Sequence, residues 1–254
     1  MNNGLLRAFK TIGLVLALGV SMSACSKTMS WQEEVLLHDG SKIIAKRSQS
    51  YGGRGEIGQG APIKEYHISF TLPNSSKTIK WTSEYSEDVG RANLHPLALH
   101  MLNGTPYIVA EPNLCLSYNK WGRPNPPYVI FKYDGKEWQR ITVQELPVVF
   151  KDTNLVNNTK DHAEHLVDSS VVTAKAIKQL NSSLTQPEYK TILREAYPTA
   201  ARRCEKMVPY GKGGWLGLDW FSDQPTYEAC LKFCEKKGVT PQNCPCENLF
   251  KGKK

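Results

Sequence analysis

Polar and apolar residues alternate through much of the first half of the chain. Tyr66, Ile68, Phe70 and Leu72 alternate with His67, Ser69 and Thr71, and Leu114, Leu116 and Tyr118 alternate with Cys115, Ser117 and Asn119. A period of two sends successive side chains to opposite faces of a strand, so Cys115 is expected to point off the apolar face. Asp39-Gly40, Asn103-Gly104 and Asp134-Gly135 mark hairpin turns, because such pairs readily reach the positive φ that tight turns need. Residues 31–150 are therefore predicted as an antiparallel β domain of roughly eight to ten strands, closed as a sandwich, a barrel or propeller-like blades.

From about residue 169 the period changes. Tyr189, Ile192, Leu193 and Ala196 follow helical spacing between Pro187 and Pro198, and Tyr227, Cys230, Leu231 and Cys234 repeat it between Pro225 and Gly238. Both stretches are predicted helices, and a third runs from Val171 to Leu184. Residues 151–168 read as a polar connector and residues 25–30 as a short tether. The expected class is α+β: an antiparallel β-rich N-terminal domain followed by a helical, disulfide-stapled region over residues 169–254.

Composition narrows the possibilities by exclusion. With 254 residues, 40% hydrophobic, 22% charged and 9% aromatic, the chain is too apolar for disorder, too poor in long apolar runs for a polytopic membrane protein, and too aperiodic for collagen or a coiled coil.

The first residues decide the compartment. Arg7 and Lys10 precede an apolar run from Ile12 to Val20, followed by Ser21, Ser23 and Ala24, the order of a secretory signal. The run extends roughly 18 Å as a helix against about 30 Å of hydrocarbon, so it exports the chain rather than spanning the bilayer. Met22-Ser23-Ala24-Cys25 resembles the lipobox of bacterial lipoproteins, which usually has Leu where Met22 stands. The resemblance implies cleavage after residue 24, diacylglycerol on Cys25 and an acylated amine. Ser26, in place of Asp, implies sorting to the outer membrane. The membrane is thus an expected partner through an N-terminal lipid anchor. Loss of Arg7 and Lys10 with the signal lowers the formal charge from +8 to +6, an excess that favours anionic envelope surfaces over short distances. Nucleic acid is not an expected partner of an exported protein whose lysines are scattered; an envelope protein or glycan is.

Beyond Cys25 six cysteines remain, an even number in an oxidising compartment. Five of them, Cys204, Cys230, Cys234, Cys244 and Cys246, crowd the C-terminal region, so full oxidation requires Cys115 to pair with that tail. Cys244 and Cys246 are too close for an ordinary bridge to each other, whereas Cys230 and Cys234 share one helix face. The expected pairs are Cys115 with Cys204, and Cys230 and Cys234 with Cys244 and Cys246 in an order that spacing leaves open, reached through a short return strand. Zinc is a weaker alternative, since C-x3-C and C-x-C lack the usual knuckle spacing.

Candidate chemistry is sparse, and no cofactor is expected. Gly53-Arg54-Gly55-Glu56-Ile57-Gly58 satisfies G-x-G-x-x-G, but Gly60-Ala61-Pro62 leads toward another strand instead of the helix that a dinucleotide site needs. His162-Ala163-Glu164-His165 places two imidazoles at i, i+3, a weak metal alternative lacking zincin spacing. His95 and His100 are expected at a strand edge. The loop Asn119 to Tyr128 is stiffened by prolines and carries Trp121, Arg123 and Tyr128, residue types that dominate contact energy at interfaces; they form the candidate binding surface, with plugging of the sheet by Trp121 as the alternative. Trp215, Trp220 and Phe221 are expected to pack the disulfide region against the sheet.

Trp31-Gln32-Glu33-Glu34-Val35 leading to Asp39-Gly40, together with the Trp121 to Tyr128 loop, resembles a group of proteobacterial envelope proteins. The resemblance implies an envelope role and contributes no catalytic residue. The expected function is a lipid-anchored outer-membrane binding or structural module, non-enzymatic. The alternatives are an envelope hydrolase or metal-dependent enzyme using His162, Glu164 and His165, and an inhibitor of wall-degrading enzymes.

Overall fold

The computed structural model describes residues 27–251 except 56–57, 59, 74, 158–170 and 198–203. Alternation builds the first sheet. β1 (Thr28–Leu36), β2 (Lys42–Tyr51), β3 (Ile63–Thr71) and β4 (Thr78–Thr82) pair antiparallel in that order. One face buries Val35, Ala45, Ile68 and Trp81, while the rung Gln32, Lys46, Ser69 and Lys80 lies on the other. β1 already pairs at Thr28, opposite Ser50, inside the segment predicted as tether.

A short ribbon, β5 (Tyr85–Ser86) and β6 (Arg91–Ala92), leads to the second sheet. This sheet contains β7 (Leu94–Leu102), β8 (Thr105–Pro112), β9 (Val129–Tyr133) and β10 (Trp138–Ile141), ordered β10-β9-β8-β7. Asn103 and Gly104, at φ 50° and 75°, form the two-residue turn between β7 and β8. Leu99, Ile108 and Val129 meet Ile68, Phe70 and Ile79 of the first sheet in one buried cluster. Of the three closures that alternation allowed, the chain takes the sandwich.

The second sheet is covered on its outer face as well. Leu97, Tyr107, Val109 and Ile130 pack beneath Leu146, Phe150 and Ile192. Arg194 fixes that cover, its guanidinium donating to the carbonyls of Val143, Leu146, Pro147 and Phe150 at 2.7–3.2 Å.

Three expectations fail here, each because long-range contacts override a local period. Leu114 to Lys120 form a helix, α1, not a strand. Its short alternation is also compatible with a helix, in which Cys115 and Tyr118 share a face, and Asn119 then reaches the carbonyls of Cys115 and Glu205 at 2.9 Å each. Pro187–Tyr189 form only a 3-10 turn, and no helix runs on to Pro198. The chain instead lies extended beside residues 151–152, with Ile192 N donating to Lys151 O at 2.7 Å. Residues 151–157 are no simple polar connector either, for Thr153, Asn154, Leu155, Val156 and Asn157 are all buried. The expected helix from Val171 to Leu184 is present as α2 (Ala174–Ser183), capped by Thr173.

The C-terminal region comprises a hairpin, β11 (Met207–Tyr210) and β12 (Gly214–Gly217), followed by α3 (Asp219–Ser222), α4 (Tyr227–Lys237) and α5 (Cys246–Phe250). Thr226 caps α4 at its start, and Gly238, at φ 66°, ends it in the left-handed conformation. Cys115 bonds Cys204, Cys230 bonds Cys246 and Cys234 bonds Cys244, which resolves the open pairing order. A turn and α5, not a return strand, bring the last two cysteines back. The sulfurs of Cys234, Cys244 and Cys246 lie within 4.8 Å of one another, and disulfide pairing accounts for that proximity. Phe221 is fully buried among these bridges and Trp215 Nε1 donates to Asp88 at 3.1 Å, whereas Trp220 is half exposed. The fold is α+β with a β-rich N-terminal part. Among the described residues no helix is long and apolar enough to cross a membrane.

Where β1 and β2 leave the main cluster, the inward face becomes charged. Glu33 and Arg47 form an ion pair at 2.9 Å with both side chains wholly shielded from water. Glu33 also accepts from Trp31 Nε1 at 3.0 Å and Val156 N at 3.3 Å, and the guanidinium lies 5.0 Å from the Trp31 ring centroid. Removing one partner of such a pair strands a buried charge. E33A is expected to lower the unfolding free energy by about 3–5 kcal/mol in urea titrations, while E33L combined with R47M should cost less than either change alone.

Candidate functional site

Of the residues expected from sequence to form a binding surface, one is buried and two are partly buried. Tyr128 is buried, and its hydroxyl donates toward the carbonyls of Glu188 and Thr191 and accepts from Leu193 N. Arg123 donates to the carbonyls of Cys204 and Glu205 at 2.8 and 2.9 Å and to Asn119 Oδ1 at 3.1 Å, under the face of Tyr118. Trp121 is half buried, packed edge-on to Phe131. The loop thus holds the Cys115–Cys204 region against the sandwich, close to the plugging alternative. Cys25 and the His162, Glu164, His165 cluster lie outside the described residues.

Of the glycine motif, residues 53–55 and Gly58 are described; they lie outside any helix or strand, and the described chain enters β3 at Ile63. Gly53 is required there because a Cβ would collide with the Gly90 carbonyl. His95 and His100 sit on β7, an edge strand, as expected. His95 stacks on Tyr66 beside Glu111, while His100 opens a different possibility.

Beside the β7 edge a cleft of about 520 Å³ runs between the β1–β2 turn, residues 149–154 and α2, within the usual size range of small-molecule sites. Its base is built by asparagines. Asn154 satisfies the free edge of β7 with its side chain, accepting from Leu99 N at 2.9 Å and donating to Leu99 O at 2.8 Å, and it donates to Leu36 O of β1 at 2.9 Å. Asn181 of α2 donates to Leu155 O at 2.9 Å. The helix is seated by β1, since Glu34 accepts from Ala174 N at 3.1 Å and pairs with Lys42 at 2.9 Å. The Lys42 contact first, then the helix amide, hold the Glu34 carboxyl below its ordinary range.

His100 is buried in the wall, stacked on Phe150 at 4.6 Å. Its Nε2 lies 2.8 Å from Asp152 O, an atom that only accepts, so Nε2 carries the proton. Burial drives the imidazole pKa down to about 4, leaving the ring neutral and Nδ1 an acceptor. Neither Nδ1 nor Asn181 Oδ1 has a hydrogen-bond partner among the described residues. The rim is cationic, with Lys151, Lys178 and Lys190 exposed around the acid Asp152. Exposed Leu36 and Val149 add an apolar margin. Sequence reasoning missed this site because its cations come from three segments distant along the chain.

A second depression, about 630 Å³, lies on the polar outer face of the first sheet around Gln32, Lys46, Ser69 and Lys80. It is an open sheet surface where polar contacts compete with water. The cleft combines apolar wall and charge in a recess, the better combination for a ligand.

R123A is expected to lower the thermal midpoint under oxidising conditions, with a loss of roughly 1–3 kcal/mol for its hydrogen bonds. His100 makes stability pH-dependent in a defined sense. The unfolded chain takes up a proton near pH 6.5 that the folded protein refuses until about pH 4, so stability falls on acidification through that window. The contribution is roughly 3 kcal/mol, and H100Q should flatten this part of the profile in urea midpoints measured from pH 7 to pH 4. No family model, curated protein or solved structure matches this chain, so the chemistry of the cleft has to be read from its own side chains.

Proposed function

We propose that this protein is a lipid-anchored module of the outer membrane that binds an envelope ligand in the cleft beside β7, with Cys25 as the acylated residue. The observation that carries the binding role is the cleft itself, which joins a cationic rim and an apolar margin in one cavity. The lipobox-like Met22-Ser23-Ala24-Cys25 supports the anchor. Three acyl chains exceed the two that already hold a protein firmly on a bilayer. The three disulfides suit an oxidising compartment outside the cytosol. A chain that pairs from Thr28 onward leaves only a short link between Cys25 and the sandwich, so the folded part would ride close to the lipid surface.

Intact mass spectrometry of the protein purified from envelopes is expected to show a chain starting at Cys25 with three fatty-acyl groups and no alkylatable thiol. C25A should abolish acyl labelling and release the protein from membranes. An unacylated mature chain with free thiols would overturn the anchor.

A further inference from the structure

Resting on the binding role just proposed, we infer that the cleft takes an organic anion with a short apolar group attached, such as an alkyl phosphate or carboxylate. Two observations converge on that chemistry. The first is charge. Lys151, Lys178 and Lys190 approach one cavity from the strip after β10, from α2 and from the end of the 3-10 turn. Asp152 is the acid among the lining residues, and none of the three lysines has an ion-pair partner among the described residues. Elsewhere Lys42 and Lys120 are matched by Glu34, Glu84 and Asp88. Three ammonium groups share this rim with one carboxylate, and the excess positive charge favours an anion seated among them.

The second observation is the apolar wall. Leu36 and Val149 are 40% and 44% exposed, yet both line the cleft, where buried Leu37 and Ile177 continue the same surface inward. A bare inorganic anion would leave that surface wet, whereas a short alkyl group covers it and gains about 25 cal/mol for each Å² removed from water. The deeper lining residues, Leu37, His100, Ile177 and Asn181, include no lysine or arginine, so the anionic group belongs at the lysine rim and the apolar part inside. A volume of about 520 Å³ limits the guest to a small molecule or to the head and first carbons of a lipid.

Lysine acetylation footprinting of the full mature protein in nonionic detergent tests this, with hexyl phosphate as probe. Acetylation of Lys151, Lys178 and Lys190 is expected to slow by about fivefold at saturation, while Lys46 and Lys80 on the open sheet face stay unchanged. Inorganic phosphate should protect far less, and L36S with V149S should erase the advantage of the alkyl ester. K178E should remove protection at Lys151 and Lys190. Protection by the soluble ester identifies a diffusible ligand; protection only in vesicles containing phosphatidic acid identifies a lipid headgroup. Either result upholds the inference. No protection at any probe concentration, equal protection of all lysines, or equal protection by inorganic phosphate would overturn it. The anchor is read separately from the intact mass of the same preparation, so an unacylated Cys25 with a positive footprint would remove the anchor and leave the ligand.

Discussion

Two charges removed from water hold the molecule's layers in register. Glu33 and Arg47 face each other across β1 and β2 with no solvent access; fixed neighbours meet the carboxylate and Nη1 of the guanidinium, while Nε and Nη2 of Arg47 have no hydrogen-bond partner among the described residues. Those neighbours are Trp31 and the backbone of Val156. The pair therefore fixes more than two strands. It ties the buried strip 153–157 to the first sheet, beside a small cluster in which Trp31 and Val156 pack with Val172, Ile177 and Leu180. Val172 in turn bridges the open edge of β1, its N–H donating to Gln32 O and its carbonyl accepting from Glu34 N. Because α2 starts immediately after that bridge, the ion pair sets where the helix wall of the cleft stands.

The cleft can also be understood as a consequence of edge protection. Sheet edges expose backbone groups that seek partners. Here the edge of β7 is satisfied by Asn154 and Leu155, and that of β1 by Val172. Covering both edges draws the strip and α2 to the same end of the sandwich without closing the space between them. The cavity between β1, β7 and α2 is what this arrangement leaves, and its floor carries polar groups because those groups are already engaged in finishing the edges.

The disulfides divide their work. Cys230–Cys246 and Cys234–Cys244 close short loops within one small cluster containing Val208 and Phe221. Cys115–Cys204, spanning 89 residues, connects that cluster to the sandwich through α1. On the chain-entropy account a loop of this length stabilises by roughly 4–5 kcal/mol. Arg123 and Asn119 reinforce the junction by binding the carbonyls beside Cys204. An arginine and a tryptophan in a proline-rich loop thus serve an internal joint, although the same residue types are common at external interfaces.

The sequence alone determined the features that depend on neighbours along the chain. Alternation at Tyr66 to Leu72, the three turn pairs, the α4 stripe ended by Gly238 and the parity of the cysteines all report local geometry, and the α+β class follows from them. It did not determine the paths of Leu114 to Tyr118, residues 151–157 or Tyr189 to Ala196. In each of these the apolar spacing is short, and distant partners such as Glu205, the β7 edge and Tyr128 decide the backbone. The cleft was beyond reach for the same reason. Lys151, Lys178, Lys190 and His100 form no spacing motif, and only folding gathers them, since a cavity is a relation among segments and no single segment contains it.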